Sequence, residues 1–144
     1  MLKPALLFVL LSLCCGAFGQ SSPIGLWRTI DDETGEAKSL VRISKSEDGS
    51  LQGVIEQVLN PEKRDELCAN CKGELRDQPI LGMRILWDFK ESNRKWSGGD
   101  ILDPNNGKVY SAFLKLKEHG RRLEVRGYIG ISLIGRSQIW QRVE

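Results

Sequence analysis

The chain has 144 residues, of which 40% are hydrophobic and 28% charged, enough for one domain with its own core. Its 21 basic and 19 acidic side chains leave a formal net charge of +2, and the two signs alternate along the chain. Such a balance creates no strong field, so the composition argues against binding to nucleic acid or electrostatic attraction to anionic lipid.

The start of the chain has the pattern of a secretory signal peptide. Lys3 provides a positive charge, residues 5–15 form an apolar run, and Ala17 and Gly19 are small residues at the positions that a signal peptidase reads. The run is shorter than the roughly 20 residues that span a bilayer. We therefore expect a signal peptide over residues 1–19, export to the periplasm or beyond, and no transmembrane segment.

Cys14 and Cys15 raise the alternative of a lipid-anchored protein. A lipid-modified Cys follows a small residue, and Leu13 is bulky, so the pair fits better as apolar filling of the signal peptide. Residues 20–144 are then expected to form a single domain, whose oligomeric state the sequence leaves open.

Eight segments have strand character, and most alternate apolar and polar residues with a period of two. The clearest stripe places Met83, Ile85, Trp87 and Phe89 on one face. The predicted strands lie near residues 24–30, 37–44, 51–59, 83–90, 95–102, 110–117, 122–126 and 136–143.

Short turns such as Asp48-Gly49, Asn106-Gly107 and His119-Gly120 separate the strands and favour hairpins. No stretch has an apolar stripe with a 3.6-residue period long enough for a crossover helix. Residues 60–78 form a long polar insertion, in which a short helical turn is expected. The sequence therefore predicts an all-β fold, a single antiparallel eight-stranded meander barrel, with a two-sheet sandwich as the alternative.

Trp27 follows Gly25 at the beginning of the first strand. A Trp in this place can lie across the closed end of a barrel, where a cation from the last strand stacks on its ring. Arg142 and Arg136 are the candidates for that cation. The alternative is an ordinary core Trp, and neither interpretation names a ligand.

Cys68 and Cys71 are the only cysteines after the predicted signal peptide. Zinc needs four ligands, and only His119 could join them, so we expect no metal site. Lys72 completes a rare form of the haem-attachment motif, which is weak evidence by itself. In an oxidising compartment we predict a local disulfide within the insertion.

No catalytic set stands out. His119 lies in a turn, and the acidic residues 31–36 and the Asp and Asn residues of 103–107 are typical of tight turns rather than of calcium loops. The glycines of 127–135 lack the Lys-Ser/Thr of a phosphate loop. An enzyme would have to combine carboxylates with Arg126 or Tyr110 at a barrel mouth. We expect no cofactor and lean against an enzyme.

Several segments together resemble one family of exported bacterial proteins, the domain of unknown function 2147. The segments are residues 25–35, 68–73, 98–104, 125–130 and 135–142. They occur in the family's order and span essentially all of the mature chain. The resemblance implies a lipocalin-like barrel in an exported bacterial protein. It implies no catalytic residues, because the biochemical role of the family is not established.

The leading hypothesis is a cell-envelope protein that binds a small apolar or amphipathic molecule inside the barrel. Its inward-facing candidates are Ile55, Met83, Ile85, Trp87, Phe89, Tyr110, Ala112 and Leu114, with Arg28 and Arg126 available for an acidic head group. The competing interpretation is that these side chains simply fill the barrel. A non-catalytic interaction or structural module, using residues 60–78 and 31–36, is the second hypothesis, and a barrel-mouth enzyme the third.

Overall fold

A computed structural model describes residues 22–144, so the predicted signal peptide at residues 1–19 lies outside the described residues. Eight strands form in chain order: β1 (Gly25–Ile30), β2 (Ala37–Lys45), β3 (Leu51–Val58), β4 (Arg84–Ser92), β5 (Lys95–Asp103), β6 (Lys108–Lys117), β7 (Arg122–Tyr128) and β8 (Gly135–Arg142). Each pairs antiparallel with the next, and β8 pairs with β1. The predicted closed meander barrel is confirmed, and the sandwich alternative is wrong.

Helical structure is limited to three single turns of 3-10 helix, at Pro61–Lys63, Gly73–Leu75 and Glu118–Gly120 within the described residues. The first two confirm the helical turn expected in the insertion. No described helix has the length and apolar character to cross a bilayer.

The two ends of the barrel differ in what covers them. Because strands of a meander alternate in direction, the turns after β2, β4 and β6 lie at the same end as both termini of the described chain. We call this the terminal end. The turns after β1, β3, β5 and β7 lie at the opposite end, which we call the insertion end because the segment between β3 and β4 is the longest of them.

Trp27 and Arg142 cover the terminal end. Trp27 is completely buried, its indole N–H donates to the carbonyl of Pro23 at 2.7 Å, and the Arg142 guanidinium carbon lies 4.3 Å from the centroid of its ring. The guanidinium of Arg142 also donates to the carbonyl oxygens of Ser22 (2.7 Å), Ile24 (3.0 Å) and Gly120 (2.6 Å). One side chain thus joins the last strand, the β6–β7 turn and the residues directly before β1.

A bulge interrupts the alternation of β4. Leu86 and Phe89 are three residues apart, yet they pair with β3 residues that are two apart, so β4 carries an extra residue between them. Asp88 adopts a positive φ of 65° at this point. Leu86 and Phe89 are both fully buried, while Trp87 between them is only half-buried. The predicted inward stripe is therefore wrong at Trp87, and Leu86, placed on the other face by the simple alternation, fills the core.

The insertion between β3 and β4 is anchored to the β5–β6 turn. Cys68 and Cys71 form a disulfide, which confirms the predicted pair, and both are buried. Next to them, the Asn70 amide donates to the carbonyl of Asn105 at 2.9 Å. The segment therefore packs on the insertion end of the barrel instead of extending into solvent.

Candidate ligand site

Most of the predicted ligand-binding side chains lie in the packed core. Ile55, Met83, Ile85, Phe89, Ala112 and Leu114 are each at most 5% exposed. They belong to one cluster with the buried aromatic rings of Trp27, Trp96 and Trp140. Rings of this size occupy much of a small eight-stranded barrel, where side chains alone can fill the interior. For these six residues, the packing corresponds to the filled-barrel interpretation.

Tyr110 is half-buried and lies nearer the insertion end. It pairs with Ile101 across the β5–β6 ladder, and its hydroxyl accepts a hydrogen bond from the Asn106 amide at 3.0 Å. Gly127 lies opposite, where an added Cβ would be 3.5 Å from both Ile101 and Tyr110. Tyr110 therefore faces the interior, closer to the insertion end than the buried aromatic rings.

The two arginines predicted to hold an acidic head group point away from the interior. Arg28 follows the buried Trp27 on β1, so alternation places it outside, and it is exposed. Arg126 likewise follows the buried Val125. Its guanidinium donates to the carbonyls of Ser132 at 2.7 Å and Leu133 at 3.5 Å. The expectation that these arginines anchor a ligand inside the barrel is corrected on this geometry.

A polar chain at the insertion end was missed from sequence. Trp140 is buried on β8, so Gln138 and Arg136 share its inward face toward the insertion end. The Trp140 indole donates to Gln138 at 3.1 Å, and the Gln138 amide donates to Asp32 at 3.3 Å. Arg136 forms a two-pronged ion pair with Asp32. The spacing of the three β8 residues could have shown their common face, but the partner lies about a hundred residues away in sequence.

Two carboxyl groups of the acidic turn, those of Asp31 and Asp32, have a lowered pKa. The Arg136 guanidinium lowers the pKa of the Asp32 carboxyl below its ordinary value of 3.8. Hydrogen bonds from Lys38 and from the backbone of the turn lower the pKa of Asp31 in the same way. Both carboxylates therefore serve as ion-pair partners. Asp103 caps its own turn by accepting from the backbone N–H of Asn105 at 2.9 Å.

The carboxylates proposed for a barrel-mouth enzyme do not share a partner. Asp31 binds Lys38, Asp32 binds Arg136, and Asp103 binds its own turn. Residues 22–144 also contain no cluster of three or more His, Cys, Asp or Glu side chains that could hold a metal ion.

A groove of about 460 Å³ lies between the insertion and β4. Its lining is Leu75, Gln78, Pro79, Leu81, Gly82, Met83, Arg84 and Trp87. Two of these, Met83 and Trp87, are predicted ligand-binding residues. The volume falls within the range of about 300–1,000 Å³ that is typical of small-molecule sites.

Arg84 gives this groove a cation. Its guanidinium carbon lies 5.7 Å from the centroid of the Trp87 ring, within cation–π distance, and the side chain is exposed. Within residues 22–144, Arg84 takes part in none of the ion pairs. Sequence reasoning missed Arg84 because the simple alternation put it opposite Trp87. A second register shift, at which Arg84 and Leu86 pair with the adjacent β3 residues Val54 and Gly53, brings Arg84 and Trp87 to the same side.

The fold and these motifs agree with a known family pattern. The family described as "Uncharacterized protein conserved in bacteria (DUF2147)" matches residues 25–142. The chain belongs to this family. The DUF2147 match covers every strand from β1 to β8, including the disulfide and both covering residues, Trp27 and Arg142.

A solved structure supports the fold of this DUF2147 protein. The chain is similar to protein HP1028 from the human pathogen Helicobacter pylori, described as belonging to the lipocalin family. The two are 18% identical, the match covers 85% of this chain and 84% of that one, and the TM-score is 0.74. At this identity the likeness shows a lipocalin-like barrel and no more. No curated protein matches the chain in sequence.

Proposed function

We propose that this DUF2147 protein binds a small amphipathic molecule with an acidic head group, in the groove between the insertion and β4. The observation that carries the proposal is the placement of Arg84 over Trp87 beside an apolar lining. A carboxylate or similar anion would pair with Arg84, and an apolar tail would lie along Leu75 and Leu81. Both leucines are about 40% exposed in the structure and would lose water on binding.

The packing of the barrel interior supports a site at the insertion end rather than deep inside. Trp27, Trp140 and Phe89 are each at most 1% exposed, so the terminal half of the interior is occupied by their rings. This shifts the site proposed from sequence from the barrel centre to the groove, and it retains Met83 and Trp87 as ligand contacts. The cell envelope as the place of action is inferred from the predicted signal peptide at residues 1–19 alone.

Binding of an anionic fluorescent probe tests the proposal. The mature protein is titrated with 1-anilinonaphthalene-8-sulfonate, and laurate and dodecanol are then used as competitors that differ in charge. Arg84→Gln should weaken binding of the probe and of laurate by roughly 5–10-fold, equivalent to about 1–1.4 kcal/mol. Dodecanol should compete equally well in the wild type and in this variant.

Arg94→Gln is the matched control, because Arg94 is an exposed arginine in the β4–β5 turn at the terminal end. It should bind the probe as the wild type does. Equal weakening in both variants would assign the effect to overall charge and overturn the proposed site. A wild type that binds neither the probe nor laurate would overturn the proposed function itself. Mass spectrometry of material released from the purified protein should also detect an acidic amphipathic molecule.

A further inference from the structure

The turn between β7 and β8 exposes four large aliphatic side chains within six residues. Leu133 is 85% exposed, Ile129 69%, Ile134 68% and Ile131 57%. We call residues 129–134 the apolar tip. The tip contains no charged residue. Exposed apolar side chains are usually scattered over a protein surface. A cluster of this kind instead indicates an interaction or membrane site.

Three of the six backbone N–H groups of the apolar tip, those of Ile129, Ile131 and Ile134, donate to carbonyls of the tip itself. Ile134 N–H donates to the carbonyl of Ile131 at 3.0 Å, and Ile131 N–H donates to that of Ile129 at 3.1 Å. Arg126, on β7, donates to the carbonyls of Ser132 and Leu133. Polar backbone groups that enter an apolar medium need such internal partners, because each unpaired group costs several kcal/mol there. The hydrogen bonds of the tip lower this cost for the part of its backbone that they pair.

The composition of the apolar tip fits lipid better than a protein partner. Protein interfaces draw most of their binding energy from Trp, Tyr and Arg anchors, whereas the large side chains of the tip are all Ile or Leu. A narrow turn can also enter between lipid head groups, where aliphatic side chains leave water. Tyr128 at its base is half-buried, a position in which an aromatic ring suits the water–lipid boundary.

The charges around the apolar tip favour neither sign of lipid. Arg126 and Arg136 flank it on the two strands, but the acidic turn at residues 31–36 lies at the same end, and its Asp32 is paired with Arg136. The formal net charge of +2 adds no strong attraction. We propose that the apolar tip inserts into the surface of a bilayer with zwitterionic head groups, in a reaction driven by burial of its aliphatic side chains.

Vesicle partitioning tests this docking surface. The mature protein is sedimented with large unilamellar vesicles of phosphatidylcholine, and partition coefficients are compared between variants. The double variant Ile131→Ser/Leu133→Ser should lower the coefficient at least about tenfold, because it removes two of the inserted side chains. Ile24→Ser/Val143→Ser is the control, since both residues are exposed apolar side chains at the terminal end, opposite the tip, and its coefficient should be unchanged.

Two further measurements separate lipid from other partners. Including about 30% phosphatidylglycerol, or raising the salt concentration, should change partitioning less than about twofold if burial drives it. Binding that requires anionic vesicles and is abolished by salt would overturn the proposal. So would a wild type that does not sediment, or a tip variant that partitions like the wild type. A wild-type dimer that the tip variant converts to a monomer in sedimentation velocity would assign the tip to a second copy instead.

Discussion

The last strand uses an arginine at each end of the barrel, and the two make different kinds of contact. Arg142 stacks on the buried Trp27 and donates to three backbone carbonyls. Arg136, six residues earlier, pairs with Asp32 in a turn, and its side chain is 58% exposed. Burial and the number of fixed acceptors decide what a cation contributes, because an exposed ion pair is screened by water. At the terminal end the arginine is thus stacked on a buried ring and fixed to three acceptors, whereas at the insertion end it forms an exposed ion pair.

The largest difference between the two ends should appear when a tryptophan is removed from each. Trp27→Ala empties a fully buried ring position and should lower the free energy of unfolding by about 3–5 kcal/mol. Trp87→Ala, at the half-buried groove position, should cost less than about 2 kcal/mol. Urea unfolding followed by circular dichroism measures both. Equal losses would contradict the distinction between the two ends.

Replacing each arginine tests the comparison directly. Arg142→Met should lower the free energy of unfolding by about 2–3 kcal/mol, since it removes the stacking contact and leaves partly buried carbonyls without donors. Arg136→Met should cost less than about 1 kcal/mol, because its ion pair is exposed. Thermal and urea unfolding of the two variants under the same conditions provide the measurement. A larger loss at Arg136 would reverse the ranking of the ends.

The smallest expected effect is the pH dependence of the Asp32–Arg136 pair. The pKa of Asp32 is depressed in the folded protein, so the pair stabilises the fold above the ordinary value of 3.8 and loses its contribution as the pH falls through the folded pKa. The contribution should stay below about 1 kcal/mol, because both groups are partly exposed.

Unfolding of the wild type and of Asp32→Asn between about pH 7 and about pH 3 checks this sign. The difference in free energy should be constant above about pH 5 and should shrink below about pH 4. Asp65→Asn is the control, since Asp65 is exposed in the insertion and joins none of the ion pairs of residues 22–144. A difference that grows on acidification would show that the pair does not stabilise the fold.

The local sequence pattern was sufficient to predict the strands, but it was not sufficient to predict which side chains of β4 face the interior. The two-residue period and the hairpin turns predict all eight strands, and their order follows because short turns join neighbours. The bulge in β4 depends on how Leu86 and Phe89 pair with β3, which is a property of two strands and not of either sequence. Trp87 and Arg84 were misplaced because a second register shift, between Arg84 and Leu86, reverses the alternation at this point of β4.

The remaining differences have two physical origins. Arg28 and Arg126 follow buried residues on their strands, so the alternation itself already indicated outward positions. The Asp32–Arg136 pair instead depends on a contact between distant segments, which no local period encodes. Candidate site residues were therefore predictable as a set of apolar side chains, but their division between core and groove was not.

The ladder that completes the ring is unusually short. Only two positions pair between β1 and β8, whereas seven pair between β7 and β8. We call the β1–β8 pairing the seam. Its two strands are the farthest apart in sequence, so closing the loop between them costs more conformational entropy than forming any other strand pair. The seam should accordingly assemble after the hairpins and separate before them. Amide deuterium exchange in β1 that is no faster than in β6 would contradict this order.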